Sequence, residues 1–324
     1  MVGSGRAVSE VAAAFGVAWW TVQAGVTAAV ATLPEVDRIR VRLLGVDEHR
    51  FRTVRFFRDD SGAWRRVEPW MTTFVNLQTG QVIGVVDGRD STAVTTWLTA
   101  RSQQWRDHVE VVAIDPSAAF RASLTRQLPK AKVSVDHWHL VRLANLMLTT
   151  VRQRVAREQH GRRGRKDDLV WAHRLLLLRA GNRLSPRALA RLDDVLTHDD
   201  PTGQIGAAWG VKERLRLLLA CTDLDAADTA RGLLGIAVLA ADMPETWRLW
   251  HTVNAWSDEL ETFLLTRVTN PKTEAANTSV KHIKRTGRGY RNHEHYQTRI
   301  LLRSARQTRR RSPSTQQVTT PNCE

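Results

Sequence analysis

Only two cysteines occur in the 324 residues, Cys221 and Cys323. They stand far apart and belong to no motif, which excludes a disulfide framework and a four-cysteine zinc site. No apolar run approaches the roughly 20 residues of a membrane-spanning helix. The N-terminus has no charged-then-apolar leader pattern, so a cytosolic setting without a membrane partner is expected. Lysine is scarce, and the net charge of +15 is carried almost entirely by arginine. Acidic groups are too few to balance it. Arginine grips phosphate bidentately and stacks on bases, so a chain with this excess is read as a nucleic-acid binder.

The remaining composition is that of a globular chain long enough for two or three domains. Residues 1–31 are Ala-rich and break at Gly16. This spacing predicts a helix-turn-helix, with a first helix capped by Ser9 and burying Val11, Ala12 and Phe15. A second helix would present Trp19, Trp20, Thr21 and Gln23 to DNA. An Ala-rich hairpin used only for packing is the alternative. Residues 32–42 read as a linker.

From 43 to 140 the pattern alternates strands and helices. Leu43–Val46 is an apolar strand ending at Asp47. Trp70–Asn76 and Gln81–Asp87 flank a Thr79-Gly80 turn, so residues 65 to 87 read as a hairpin. Ser91 caps the next helix. Val109–Ile114 is a fourth strand ending at Asp115, and Pro116 opens another helix. Lys132–Val135 is a fifth strand, with Asp136 at its end. Strand, strand, strand, helix, strand, helix, strand is the order of a ribonuclease-H-like mixed sheet, an α/β fold. Such a sheet sets the end of the first strand beside the fourth, making Asp47 and Asp115 neighbours. Residues 141–268 read as an all-helical insertion whose Trp209, Trp247, Trp250 and Trp256 are read as packing residues, with base-stacking platforms as the alternative.

Residues 269–305 contain a helix and a basic loop, and 306–324 a disordered basic tail. Within the helix, Glu274 leads a face that continues through Asn277 or Thr278 to Lys281 and Arg285. After Glu274 there is no carboxylate until Glu294. Three acids on separate elements of a rigid sheet suit two divalent ions. Such ions activate an attacking hydroxyl and stabilise a leaving oxygen in phosphodiester chemistry. Glu48 points away from Asp47 along the strand. Asp87 and Asp90 are read as loop and cap residues. Asp136 and His139 form an Asp-x-x-His pair with two open readings. One is a helix cap with a half-buried histidine. The other is an accessory hydrogen bond or ligand near the acids.

Gly45-Val-Asp-Glu, Ala113-Ile-Asp-Pro, Val135-Asp-His-Trp-His and the stretch from Asn270 to Asn292 resemble the transposases of the ISL-three insertion-sequence family. These are DDE enzymes with a ribonuclease-H-like core. The resemblance covers about residues 42 to 305. It implies Asp47, Asp115 and Glu274 as catalytic, metal-binding residues for Mg2+, with Mn2+ as a substitute. It further implies a homo-oligomer on paired ends of double-stranded DNA in the bacterial cytoplasm. The DNA grip would be Lys281, Lys284, Arg285, Arg288, Tyr290 and Arg291. The family's Cys-bearing segment ahead of the helix-turn-helix has no counterpart here, so no zinc and a shortened end-recognition segment are expected. Two other functions fit the same residues: a ribonuclease-H-like nuclease that only hydrolyses, and a non-catalytic DNA-binding protein.

Overall fold

The computed structural model describes residues 2–287 and 289–311. Arg288, expected to touch DNA, and residues 312–324 lie outside the described residues. The chain divides into two compact units, one of residues 1–133 with 270–324 and one of residues 134–269.

The first unit opens with α1 (Val8–Phe15) and α2 (Trp19–Ala31). Gly16 ends α1 in the left-handed region at φ 61°, a conformation that glycine adopts freely. The chain turns through 116° between the two helices. The cap differs from expectation: Ala7 takes the N-cap position, and the Glu10 carboxylate accepts from its N–H at 3.3 Å. Val11 and Ala12 are buried as expected, but Phe15 is 60% exposed because it lies beyond the packed stripe. Val8, Val11 and Val26 form a small core with Leu302 from the C-terminal helix.

The strands then follow: β1 (Leu43–Arg50), β2 (Arg55–Arg58), β3 (Trp64–Val67), β4 (Trp70–Asn76) and β5 (Gln81–Asp87). Next come α3 (Ser91–Thr99), α4 (Gln103–His108), β6 (Val111–Ile114), α5 (Ala118–Gln127) and β7 (Lys132–Val135). Five strands form one mixed sheet in the order β5-β4-β1-β6-β7. β1 pairs antiparallel with β4 and parallel with β6. The expected 65–87 hairpin is in fact two features. β4 and β5 form the sheet hairpin, while β3 pairs with β2 in a separate ribbon, Arg55 opposite Val67 and Arg58 opposite Trp64.

The helices α14 (Pro271–Thr286) and α15 (His293–Arg311) return to this unit. Met71, Val75, Val82 and Val85 of the sheet pack with Ala276, Val280 and Ile283 of α14 and Tyr296 and Ile300 of α15. α15 continues through residues 306–311, which were expected to be tail. It is held by a few well-placed contacts: Tyr296 is fully buried and Ser304 Oγ accepts from the Val82 N–H at 2.7 Å.

The second unit is helical: α6 (His137–His160), α7 (Leu169–Ala172), α8 (Arg174–Leu178), α9 (Pro186–Asp199), α10 (Gln204–Ala220), α11 (Leu224–Ala241), α12 (Pro244–Ala255) and α13 (Ser257–Thr266). Val151, Val211, Leu215 and Val238 lie in its core. Trp256 is buried and Trp209, Trp247 and Trp250 are half-buried, in keeping with packing roles. Among the described residues, no single helix is long and apolar enough to cross a membrane.

Candidate functional site

The centre of the first unit is the end of β1. Leu44 and Val46 are fully buried, and Val46 pairs with Ile114 in the parallel β1–β6 ladder. One residue further along each strand come Asp47 and Asp115. The parallel register therefore sets the two acids side by side, as expected from the sequence. The consequence is electrostatic. Burial, then the negative charge of Asp115, push the Asp47 carboxyl up to about 7, with Glu48 adding to the effect. Hydrogen bonds from the Glu48 N–H at 2.7 Å and Asn277 Nδ2 at 2.6 Å act in the opposite direction.

α14 reaches this place because β1 and the helix have nearly matched repeats. Two strand residues rise about 6.7 Å and four helix residues about 6 Å. Gly45, Asp47 and His49 thus meet successive turns of α14. A Cβ at Gly45 would stand 2.1 Å from Thr273 Oγ1, so the glycine is what lets the helix approach. Asn270 Nδ2 donates to the Val46 carbonyl at 3.4 Å. Asn277 donates to Asp47, and His49 feels the charges of Lys284 and Lys281. Burial first, then those two lysines, lower the His49 imidazole to about 4, so it is neutral near pH 7. Its Nδ1 lies 2.9 Å from Thr73 Oγ1.

The expected helix face splits in two. Thr273, Asn277 and Val280 are buried against the sheet, whereas Glu274, Thr278, Lys281 and Arg285 form an exposed stripe along the helix. Among the described residues, the α14 side chain bonded to Asp47 is Asn277. Glu274, one turn of chain earlier, is exposed. The sequence did not single out Asn277 as the partner of Asp47, nor His49 as a buried residue two positions along the same strand. Their spacing, with Asn277 three residues after Glu274 and His49 two after Asp47, was the available signal.

The other candidates are placed as follows. Lys284 Nζ donates to the Arg50 carbonyl at 3.1 Å and helps hold α14 to β1. Tyr290 is half-buried against Tyr296, with ring centroids 5.0 Å apart. Arg291, Trp19, Trp20 and Thr21 are exposed. Gln23 is 5% exposed, because it falls on the packed side of α2 with Val26, so its side chain is not offered to a groove. Asp90 caps α3 by accepting from the Ala93 N–H at 2.9 Å.

In the second unit, Asp136 caps α6, accepting from the Trp138 N–H at 3.3 Å. His139 Nδ1 lies 3.3 Å from Asp136 Oδ2, and Thr269 Oγ1 donates to Asp136 Oδ1, the oxygen that also caps the helix, at 2.6 Å. Burial would raise the Asp136 carboxyl, but these three hydrogen bonds together hold it below the usual carboxylate range. The local geometry contains the cap and the half-buried His139, and the Asp136–His139 contact fits the accessory reading equally well.

The β2–β3 ribbon was not anticipated. Its strand residues are exposed, including Phe56, Phe57 and Trp64. Arg58 lies over the Trp64 ring at 5.1 Å, and Arg65 pairs with Asp59. The Asp59-Asp-Ser-Gly62 turn between two aromatic and arginine runs was its sequence signal.

A family model described as a transposase, of the ISL3 type of DDE transposase, matches residues 44–300. The chain belongs to that transposase family. The transposase of insertion sequence element IS1001 from Bordetella parapertussis is 22% identical over 287 residues, covering 83% of this chain. The chain spans 65% of that relative's length. A solved structure, the Drosophila P element transposase strand transfer complex, overlays with a TM-score of 0.44 at 11% identity. The overlay covers 86% of this chain and 80% of that one.

Proposed function

We propose that this chain is a DDE transposase with a ribonuclease-H-like core, which cuts DNA at the ends of its element and joins the freed 3′ ends to target DNA. The observation that carries this reading is the side-by-side placement of Asp47 and Asp115 by the β1–β6 register. Burial first, and then the neighbouring Asp115 charge, push the Asp47 carboxyl up to about 7, a state that a bound cation would relieve. The donors are all oxygens, which fits Mg2+ or Mn2+. Asp47, Asp115 and Glu274 would hold the ions, which when bound supply nucleophile activation and charge neutralisation at the leaving oxygen.

Asp47 enters that state by giving up its proton, and Asn277 fixes the orientation of its carboxylate. Gly45 sets how near α14 comes to the acids. The exposed Lys281 and Arg285, on the same helix stripe as Glu274, contact the phosphate backbone. Arg291 and the arginines of the β2–β3 ribbon extend that positive surface, and the chain's net charge favours DNA throughout. The helix-turn-helix of α1 and α2 contributes further contacts to double-stranded DNA, and copies of the chain act together on paired ends.

The test is strand transfer. Purified protein is incubated with Mg2+ or Mn2+, a pre-cut element end and a supercoiled target plasmid. Covalent joining of the 3′ end to the plasmid supports the proposal. Cleavage without joining would favour a purely hydrolytic nuclease. Binding without either reaction would favour a non-catalytic DNA-binding protein.

A further inference from the structure

The start of α2 is not a bare surface. Trp19 and Trp20 stand edge to face with centroids 4.7 Å apart and planes at 86°. His295 of α15 lies 5.5 Å from Trp19 and 6.1 Å from Trp20. With Tyr290 and Arg291 of the loop before α15, these residues line a cavity of about 490 Å3. That volume falls within the roughly 300–1,000 Å3 typical of small-ligand sites. Trp20 is 70% exposed. A tryptophan used for packing would bury its ring, and leaving it wet forgoes that apolar stabilisation.

The walls are held in place. Arg52 Nε donates to the Tyr290 carbonyl at 2.9 Å. The Tyr290 ring rests on Tyr296. Asn292 Oδ1 accepts from the His295 N–H at 3.1 Å, capping α15. The cavity is therefore a formed space lined by aromatic rings with an arginine at its side.

That lining selects its guest. A free anion would be better served by N–H donors than by indole rings. A wholly apolar guest would gain nothing from Arg291. A duplex groove offers base edges, whereas tryptophan and histidine rings offer faces to stack on. A planar base joined to a phosphate meets both requirements. We infer that this cavity takes an unstacked nucleobase of a single DNA strand, stacked on Trp20, with Arg291 beside its phosphate. The inference rests on the DNA-acting function proposed above. It moves Trp19 and Trp20 from reading a groove to holding a base. Extruding a base is easiest where pairing is already broken, so the cavity suits frayed or cut DNA ends.

Fluorescence anisotropy of the full chain tests this with labelled oligothymidylate, an abasic strand of equal length, and a duplex. The wild type is expected to prefer oligothymidylate over the abasic strand. Trp20→Ala is expected to weaken oligothymidylate binding by about tenfold or more and leave the abasic strand unchanged. Trp20→Phe should keep most of the preference, and both substitutions fall on an exposed side chain. Equal weakening of both strands, or no weakening, would overturn the inference. Duplex binding with no preference for bases over abasic backbone would also overturn it while leaving the proposed function standing. Failure to bind any of the three DNAs would sink both.

Discussion

Asn277 Nδ2 donates a 2.6 Å hydrogen bond to Asp47 Oδ2 across the β1–α14 contact. That bond favours the ionised carboxylate, against the burial and the Asp115 charge that favour its protonated form. Asn277→Ala should therefore raise the Asp47 carboxyl further. Hydrogen bonds to a charged group contribute about 1.5–3 kcal/mol, so activity near pH 7 should fall roughly tenfold to a hundredfold. The pH–rate profile should move to higher pH, with part of the activity regained there. A uniform loss at every pH would assign Asn277 a purely structural role.

Asp47 also links stability to pH. Its folded-state carboxyl stands at about 7, above the ordinary aspartate value. Between those values the folded protein holds a proton that the unfolded chain has lost. The stability from this group is thus fully present at low pH and is lost as pH rises through about 7. In metal-free protein the Tm should fall over that range, and Asp47→Asn should flatten the slope. Divalent-ion binding should release protons near pH 7, measurable by calorimetry in buffers of different ionisation enthalpy. A pH-independent proton count would contradict the assignment.

Gly45→Ala probes the approach of α14. The added methyl would stand 2.1 Å from Thr273 Oγ1 and 2.8 Å from Asn270 Oδ1. Overpacking of this kind costs about 1–3 kcal/mol. Because the helix must retreat from β1, activity should fall more than stability alone explains. Urea denaturation beside a strand-transfer assay separates the two losses.

Two lysines of one helix should behave differently. Lys281 is exposed, whereas Lys284 is committed to the Arg50 carbonyl. Lys281→Ala should weaken DNA binding and reduce the slope of log K against log salt by about one phosphate contact. Lys284→Ala should lower stability and leave most of the salt slope. Titrations at several salt concentrations, with thermal melts, distinguish them.

The acid-terminated strands were legible because buried strands read as short apolar runs. Asp47 and Asp115 end two such runs, and the helix-for-strand order implied a parallel pair. The α14 face was only half legible. Asn277 and Thr278 are adjacent, and a 100° step separates a residue that meets Asp47 from one that faces solvent, which periodicity alone does not resolve. The β2–β3 ribbon escaped notice because its strands are exposed on both faces and show no alternation. The last turns of α15 resembled a polar tail because they are Arg-rich and lack apolar residues, while the contacts that hold the helix, Tyr296 and Ile300, lie in its first turns.

Glu274 is the acid whose role depends most on function and least on the fold. It is exposed on α14, so Glu274→Gln should change stability by no more than about 0.5 kcal/mol. The direct measurement is strand transfer of a pre-cut end by Glu274→Gln, compared with wild type at equal DNA occupancy and unchanged circular dichroism. A loss of at least about a hundredfold, matched by Asp47→Asn and Asp115→Asn, is the expected result. Full activity in Glu274→Gln would contradict the three-carboxylate site.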